Sequence, residues 1–345
     1  MADVQKQFVK FHDEIRHRDG DEKAKLQEKR DLLVDDLKKG LKKQAEEKGE
    51  DPLKFTSFNQ GSYAMHTGTK PHDNDYDIDV GIVFDNIKDD FDGPVALKKK
   101  VRDALDSQFR TVNIRRPCVT VTYMKDKKPD YHVDMAIYAK IDNDDIYDIA
   151  MGKEHSSEEN CVWDNSDPKG LIKEINERFD DEEERKQYRR VIRYLKRWRD
   201  RQFKNGGAPI SIGLTCAAYH WFEPIKVAGS YNDLRAVRHL VNKMISEFTI
   251  LWSRLEVKLP VTPKSDLFEK MTEKQMGDFK EKLTNLRESL DKAKDDESLK
   301  SACKTLNKEF GDDFPIPEDD NGGSDKSGTK KSHSKKPYVT TGTSA

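Results

Sequence analysis

Apolar residues recur along this chain with two periods, and the switches between them mark out its parts. In residues 2–48, Phe8, Phe11 and Ile15 form one helical stripe and Leu33, Leu37 and Leu41 another, set among Lys, Glu and Asp, which predicts a long N-terminal helix. The stretch Arg16-His17-Arg18-Asp19-Gly20-Asp21 has a glycine and no apolar residue, so the helix should break or bend there. Residues 53–84 read as a strand, a Gly-Ser turn, a polar loop and a second strand in which Ile78, Val80, Ile82 and Phe84 alternate into a core. Residues 85–94 read as an acidic loop, 95–109 as a short helix, and 112–124 and 131–141 as a strand pair around a polar, proline-bearing turn. From Asp167 the helical period returns. One helix at 185–201 has Tyr188, Val191, Ile192, Leu195 and Trp198 on one face, and a helical region at 265–310 is stopped by Gly311 and Pro315. The expected fold class is mixed α/β (α+β): a sheet-bearing core at 1–166 that includes the N-terminal helix, then a helical lobe at 167–317. The tail at 318–345, rich in Gly, Ser, Thr and Lys, cannot offset its ordering entropy by burial and is expected to be disordered.

Candidate chemistry sits on the two strands. Side chains two apart on a strand project to the same side, so Asp77 and Asp79 point together, on the face opposite Ile78 and Val80. Asp134 lies in a second alternating segment, where Val133, Met135 and Ile137 turn inward. Asp73 and Asp75 continue the same alternation, but they lie in the polar loop, whereas Asp77 and Asp79 are embedded in the apolar strand where an uncompensated carboxylate is costly. Three carboxylates on one sheet face repel one another unless cations lie between them, and hard oxygen ligands favour Mg²⁺, with Mn²⁺ as an alternative. Two such ions about 3.5–4 Å apart can activate an attacking hydroxyl and hold a triphosphate. Gln60-Gly61-Ser62 adds a turn whose glycine lets backbone approach a phosphate and whose Ser62 can donate to it. The ordered combination predicts a two-metal nucleotidyl-transfer site.

Composition narrows the setting. Charged residues are 37% of the chain and hydrophobic ones 34%, yet the formal net charge is only −2, so no global basic excess argues for nucleic-acid binding. Nine of the seventeen residues at 185–201 are Arg or Lys. Lys196, at the margin of the apolar stripe, can reach inward, and the others read as a solvated face. No apolar run approaches a membrane span and the first residues lack a signal-peptide core, which predicts a cytoplasmic protein without membrane contact. Cys118, Cys161, Cys216 and Cys303 are too scattered for a zinc site and fit reduced thiols.

Together Gln60-Gly61-Ser62, Asp77-Ile78-Asp79-Val80-Gly81 and Val133-Asp134-Met135 resemble the cGAS/DncV-like nucleotidyltransferases, over most of residues 1–317. The resemblance implies a polymerase-β-like mixed sheet, a long N-terminal spine helix and a helical C-terminal lobe. It implies Mg²⁺-dependent joining of nucleoside triphosphates, ATP among them, into a cyclic di- or trinucleotide for antiphage (CBASS) signalling. It also implies two more nucleotide contacts, Lys196 with phosphate and Ser211 with triphosphate, although Ser211 stands further from its proline than is usual in the family. Some members have their C-terminal residue joined to other molecules by a ubiquitin-ligase-like partner, which here would act on Ala345. The His/Cys zinc insertion of animal cGAS has no equivalent, so activation by double-stranded DNA is not expected. The alternatives are a linear oligoadenylate or RNA-tailing transferase, and a catalytically silent nucleotide sensor.

Overall fold

The N-terminal helical stretch is two helices whose apolar stripes serve different cores. Helix α1 (Gln5–Ile15) stops where Arg16 turns extended, and α2 (Asp21–Lys48) follows. The computed structural model describes residues 2–16, 21–71, 76–107, 110–125, 128–141, 146–249 and 253–318, with backbone alone at 21–26, 76–77, 125 and 128–130. The conjugation tail, apart from Glu318, therefore lies outside the described residues.

The sheet is built from β1 (Phe55–Asn59), β2 (Tyr76–Ile87), β3 (Arg110–Ile114), β4 (Val119–Lys125), β5 (Lys128–Lys140), β6 (Tyr147–Ala150) and β7 (Trp163–Ser166), with α3 (Gly61–Ala64) after β1 and α4 (Pro94–Leu105) after β2. Its order is β1-β2-β5-β4-β3, with β6 pairing the far half of β5 and β7 pairing β6. Among the described strands only β2 and β5 run parallel. One face of these two strands, with Ile78, Val80, Ile82, Phe84, Val133, Met135 and Ile137, packs against Leu33, Leu37 and Leu41 of α2 and Leu97, Val101 and Leu105 of α4. That burial fixes the register and leaves the odd positions of β2 and the even positions of β5 on the opposite face.

The sheet departs from the sequence pattern in two places. Residues 112–124 are not one strand but the β3–β4 hairpin. Pro117 has no N–H for a ladder, Arg115 N–H bonds Cys118 O at 2.9 Å across the turn, and the buried Lys98 ammonium donates to the Arg115 and Arg116 carbonyls at 2.8 Å each. The acidic loop starts later than expected, because Lys140 on β5 pairs with Asp85 at 2.6 Å and β2 runs on to Ile87 before a 3₁₀ turn at Lys88–Asp90.

The helical lobe comprises α5 (Pro168–Asn176), α6 (Glu182–Gln202), α7 (Ser211–Trp221), a small hairpin of β8 (Lys226–Val227) and β9 (Ser230–Tyr231), α8 (Asp233–Ser246), α9 (Glu273–Asp295) and α10 (Leu299–Phe310). The region 265–310 is thus two helices, because Ser298 caps α10 by accepting from Ser301 N at 3.2 Å, and Thr272 and Gln275 form a capping box at the start of α9. Phe8 and Phe11 of α1 pack against Tyr194, Phe310 and Phe314, so α1 belongs to the core of the helical lobe while α2 belongs to that of the sheet.

Candidate active site

A cleft of about 430 Å³ opens between the sheet's free face and the helical lobe. From the sheet side it is lined by Gln60, Gly61, Ser62, Asp79, Asp134 and Tyr138; from the helical side by Lys196 on α6 and Ser211 and Thr215 on α7. Seven of the eight residues singled out in the sequence therefore meet in one place. The eighth, Asp77, lies on β2 by its backbone, and its side chain is outside the described part.

Strand register sets the two carboxylates side by side. Asp79 and Asp134 are direct partners in the parallel β2–β5 pair, and Asp77 is partnered by His132 one row away. Gln60 N–H bonds Asp79 O at 3.1 Å, which lays the Gly-Ser turn over β2. Gly61 has a φ of 66°, and a Cβ there would fall inside the Asp79 carboxylate, so the close approach requires glycine. Thr120 Oγ1 donates to Asp134 Oδ1 at 2.6 Å. Tyr138 Oη donates to Gln60 Oε1 at 3.1 Å, and burial raises the phenol's pKa well above its usual value, so it stays a donor.

Lys196 is buried at 5% exposure and donates to Thr67 O and Oγ1, each at 3.2 Å. Burial lowers its pKa to about 7, helped by the neighbouring Arg193 charge and opposed by Asp79. A lysine so placed gains much from an anion entering the cleft. The other cations of α6 do not simply form a solvated face. Arg193 donates to Gly68 O at 3.0 Å and to His66 O, Arg197 donates to Lys70 O at 2.7 Å, and Arg190 grips buried Asp233 at 2.7 and 2.8 Å. Guanidinium groups of α6 thus satisfy backbone carbonyls of the loop after α3.

Two adjacent carboxylates on a half-buried wall, with hard oxygen donors facing open space, fit a divalent cation. Among the described residues no cluster of three or more His, Cys, Asp or Glu side chains is arranged to hold a metal, and Asp77, the third predicted ligand, falls outside that set. The four cysteines are free thiols, three of them buried. No described helix is long and apolar enough to cross a membrane.

Two family models match the chain. The nucleotidyltransferase domain of DncV-like cyclic GMP-AMP synthases matches residues 55–138, and the C-terminal domain of cyclic GMP-AMP synthase matches residues 185–319. The chain belongs to the cGAS/DncV-like nucleotidyltransferases. The first model spans Gly61, Asp79 and Asp134, and the second spans Lys196 and Ser211. A cyclic GMP-AMP synthase of Escherichia albertii is 28% identical over 158 residues, 43% of this chain but only 32% of that relative's length. Among solved structures, Vibrio cholerae DncV in its GTP-bound form aligns with a TM-score of 0.72 at 20% identity, covering 91% of this chain and 96% of that one. DncV with the linear intermediate pppA(3′,5′)pG aligns with a TM-score of 0.71 at 19% identity, with the same coverage. The mixed sheet and helical lobe are thus the polymerase-β-like fold of DncV.

Sequence reasoning missed the cleft contributions of Tyr138, of Ser166 at the end of β7 and Asp167 before α5, and of Leu259, Val261 and Thr262. It also missed Thr120. The signal for that residue was present in the Thr120/Thr122 alternation, but using it requires the β4–β5 register, which depends on where the Pro129 turn pairs.

Proposed function

We propose that this chain joins nucleoside triphosphates, ATP among them, into a cyclic di- or trinucleotide, releasing pyrophosphate. The observation that carries the reading is the cleft in which Asp79 and Asp134 face Lys196 and Ser211 across about 430 Å³. Asp77, Asp79 and Asp134 would hold the metal, for which we infer two Mg²⁺ ions, with Mn²⁺ able to replace them. Divalent cations bound there would neutralise triphosphate charge and ease deprotonation of the attacking ribose hydroxyl. Asp134 would face the acceptor hydroxyl. Gln60, Gly61 and Ser62 would fix the donor triphosphate from the sheet side, while Lys196 leaves Thr67 to neutralise it and Ser211 donates to it. A linear product would then turn in the same cleft for a second transfer that closes the ring.

The reading extends to a cytoplasmic enzyme of antiphage (CBASS) signalling that needs no double-stranded DNA. The same reading includes conjugation of Ala345 by a ubiquitin-ligase-like partner. Deleting Thr343 to Ala345 should then abolish conjugation in cells, and unchanged conjugation would remove that part.

The test is incubation of the purified protein with Mg²⁺ and all four nucleoside triphosphates, then phosphatase treatment and mass spectrometry. A phosphatase-resistant product is expected from the wild type. Asp79→Ala with Asp134→Ala should lower its rate at least ~10³-fold, the loss of several kcal/mol of transition-state stabilisation, without loss of fold. Phosphatase-sensitive linear products would favour a linear transferase, nucleotide binding without pyrophosphate release would favour a sensor, and full activity in the double variant would refute the site.

A further inference from the structure

Asp134 occupies the middle of a three-strand row. In the parallel pair its partner is Asp79 on β2, and in the antiparallel pair its partner is Thr120 on β4. The carboxylate therefore has an acid on one side and a hydroxyl on the other. Thr120 is buried at 8% exposure, and its Oγ1 lies 2.6 Å from Asp134 Oδ1. A hydroxyl has one proton, and a carboxylate can only accept, so Thr120 is the donor and its proton is committed to Oδ1. Cys118 Sγ lies 3.6 Å from the same Oγ1, and with that proton committed the thiol must be the donor to the hydroxyl. The chain Cys118, Thr120, Asp134 thus has one direction and ends on Oδ1. The next row repeats the pattern: Thr122 Oγ1 lies 2.8 Å from His132 Nδ1, and His132 is the register partner of Asp77.

Resting on the function proposed above, we propose that Thr120 is a positioning residue for metal-dependent transfer: it holds the Asp134 carboxylate in one rotamer, so that Oδ2 alone is presented to the cleft. A carboxylate with both oxygens free can swing or bind through either, whereas one with Oδ1 tied offers a single ligand atom in a fixed place. The β-branch of Thr120 limits its own rotation, and the Cys118 thiol holds its hydroxyl from behind. Hydrogen-bonded partners behind metal ligands have this effect in general, and their loss typically costs 10–100-fold in metal affinity.

The measurement is Mn²⁺ binding to the full chain, read from the electron paramagnetic resonance signal of unbound Mn²⁺ with a non-hydrolysable nucleoside triphosphate present. It is paired with kcat and KM across Mn²⁺ concentrations and with a melting temperature for each variant. Thr120→Val keeps the shape and removes the donor; it should raise half-saturating Mn²⁺ about 10-fold or more. Thr120→Ser restores the donor and should return it to within about threefold of wild type, with KM for nucleotide unchanged in both. If valine prevents folding, Thr120→Ala, which leaves space, should give the same loss of Mn²⁺ affinity. Wild-type Mn²⁺ affinity in the valine or alanine variant overturns the proposal while leaving the function intact, as does serine failing as badly as valine. A wild-type protein that neither binds Mn²⁺ nor forms product overturns the function and this inference together.

Discussion

At Gly61 a single missing Cβ determines how close the Gly-Ser turn can come to β2. Its backbone is left-handed, and the space where a side chain would begin is occupied by Asp79. Gly61→Ala must therefore accept a strained φ, costing about 1–2 kcal/mol, and must also push the turn off Asp79. A displacement of about 1 Å at a reacting centre can cost ~10²-fold, so kcat/KM should fall by about that factor while the melting temperature drops only a few degrees. Steady-state kinetics beside a thermal melt checks this, and unchanged kcat/KM would mean that the turn does not contact the donor. At this scale much of the site was legible. Alternation in a strand places Asp79 and Asp134 with no knowledge of the rest of the chain, because Ile78, Val80, Val133 and Met135 need the other face. Thr120 was not legible in the same way, since its partner depends on pairing between strands.

Between elements, side chains that a linear reading assigns to solvent become the joints. His12 is the clearest case, lying on α1 but held by α6: its Nε2 accepts from Arg193 Nη1 at 3.1 Å. Burial, then the charges of Arg193, Arg190 and Arg16, lower its pKa to about 3, and Asp233 opposes them only weakly. Between pH 6.5 and 3 the unfolded chain binds a proton at His12 that the native chain does not, so stability from this group is complete above 6.5 and is lost as pH falls. The slope is about 1.4 kcal/mol per pH unit well inside that window. His12→Gln keeps an acceptor for Arg193 and cannot titrate, so urea unfolding at pH 7.5 and 5.5 should differ less for it than for wild type. An equal difference would remove His12 from the joint. The helix break after Ile15 was readable because Arg16 to Asp21 offers no apolar face. The β3–β4 hairpin was missed although Pro117, after Arg115 and Arg116, is a breaker signal inside Val112 to Met124; what sequence does not show is that Lys98 grips the carbonyls of that turn. Strands β6 and β7, four residues each, are too short to show a period and exist because β5 extends past β4 and needs a partner.

In the whole molecule, α1 is far from α6 and α8 in sequence yet shares a core with them, and buried Asp233 is where the three meet. Its carboxylate accepts two bonds from Arg190, at 2.7 and 2.8 Å, one from Tyr194 Oη at 3.0 Å and one from Gln187 Nε2 at 3.2 Å, while its N–H donates to Gln5 Oε1 at 2.7 Å. Such a pair can be nearly neutral in net stability, yet removing one partner strands the other charge away from water, at a cost of about 3–5 kcal/mol. Asp233→Ala should therefore loosen the lobe that carries Lys196 and Ser211. The sheet has its own core around α2 and α4 and should be left largely intact. Hydrogen exchange followed by mass spectrometry separates the two outcomes. Peptides from α1, α6 and α8 should exchange much faster in the variant, while those from β2 and β5 keep their protection. Equal acceleration in β2 and β5 would mean that the two cores unfold as one unit. The cleft between them would then be a fixed groove, with no independent movement of the lobe that carries Lys196 relative to the lobe that carries Asp79 and Asp134.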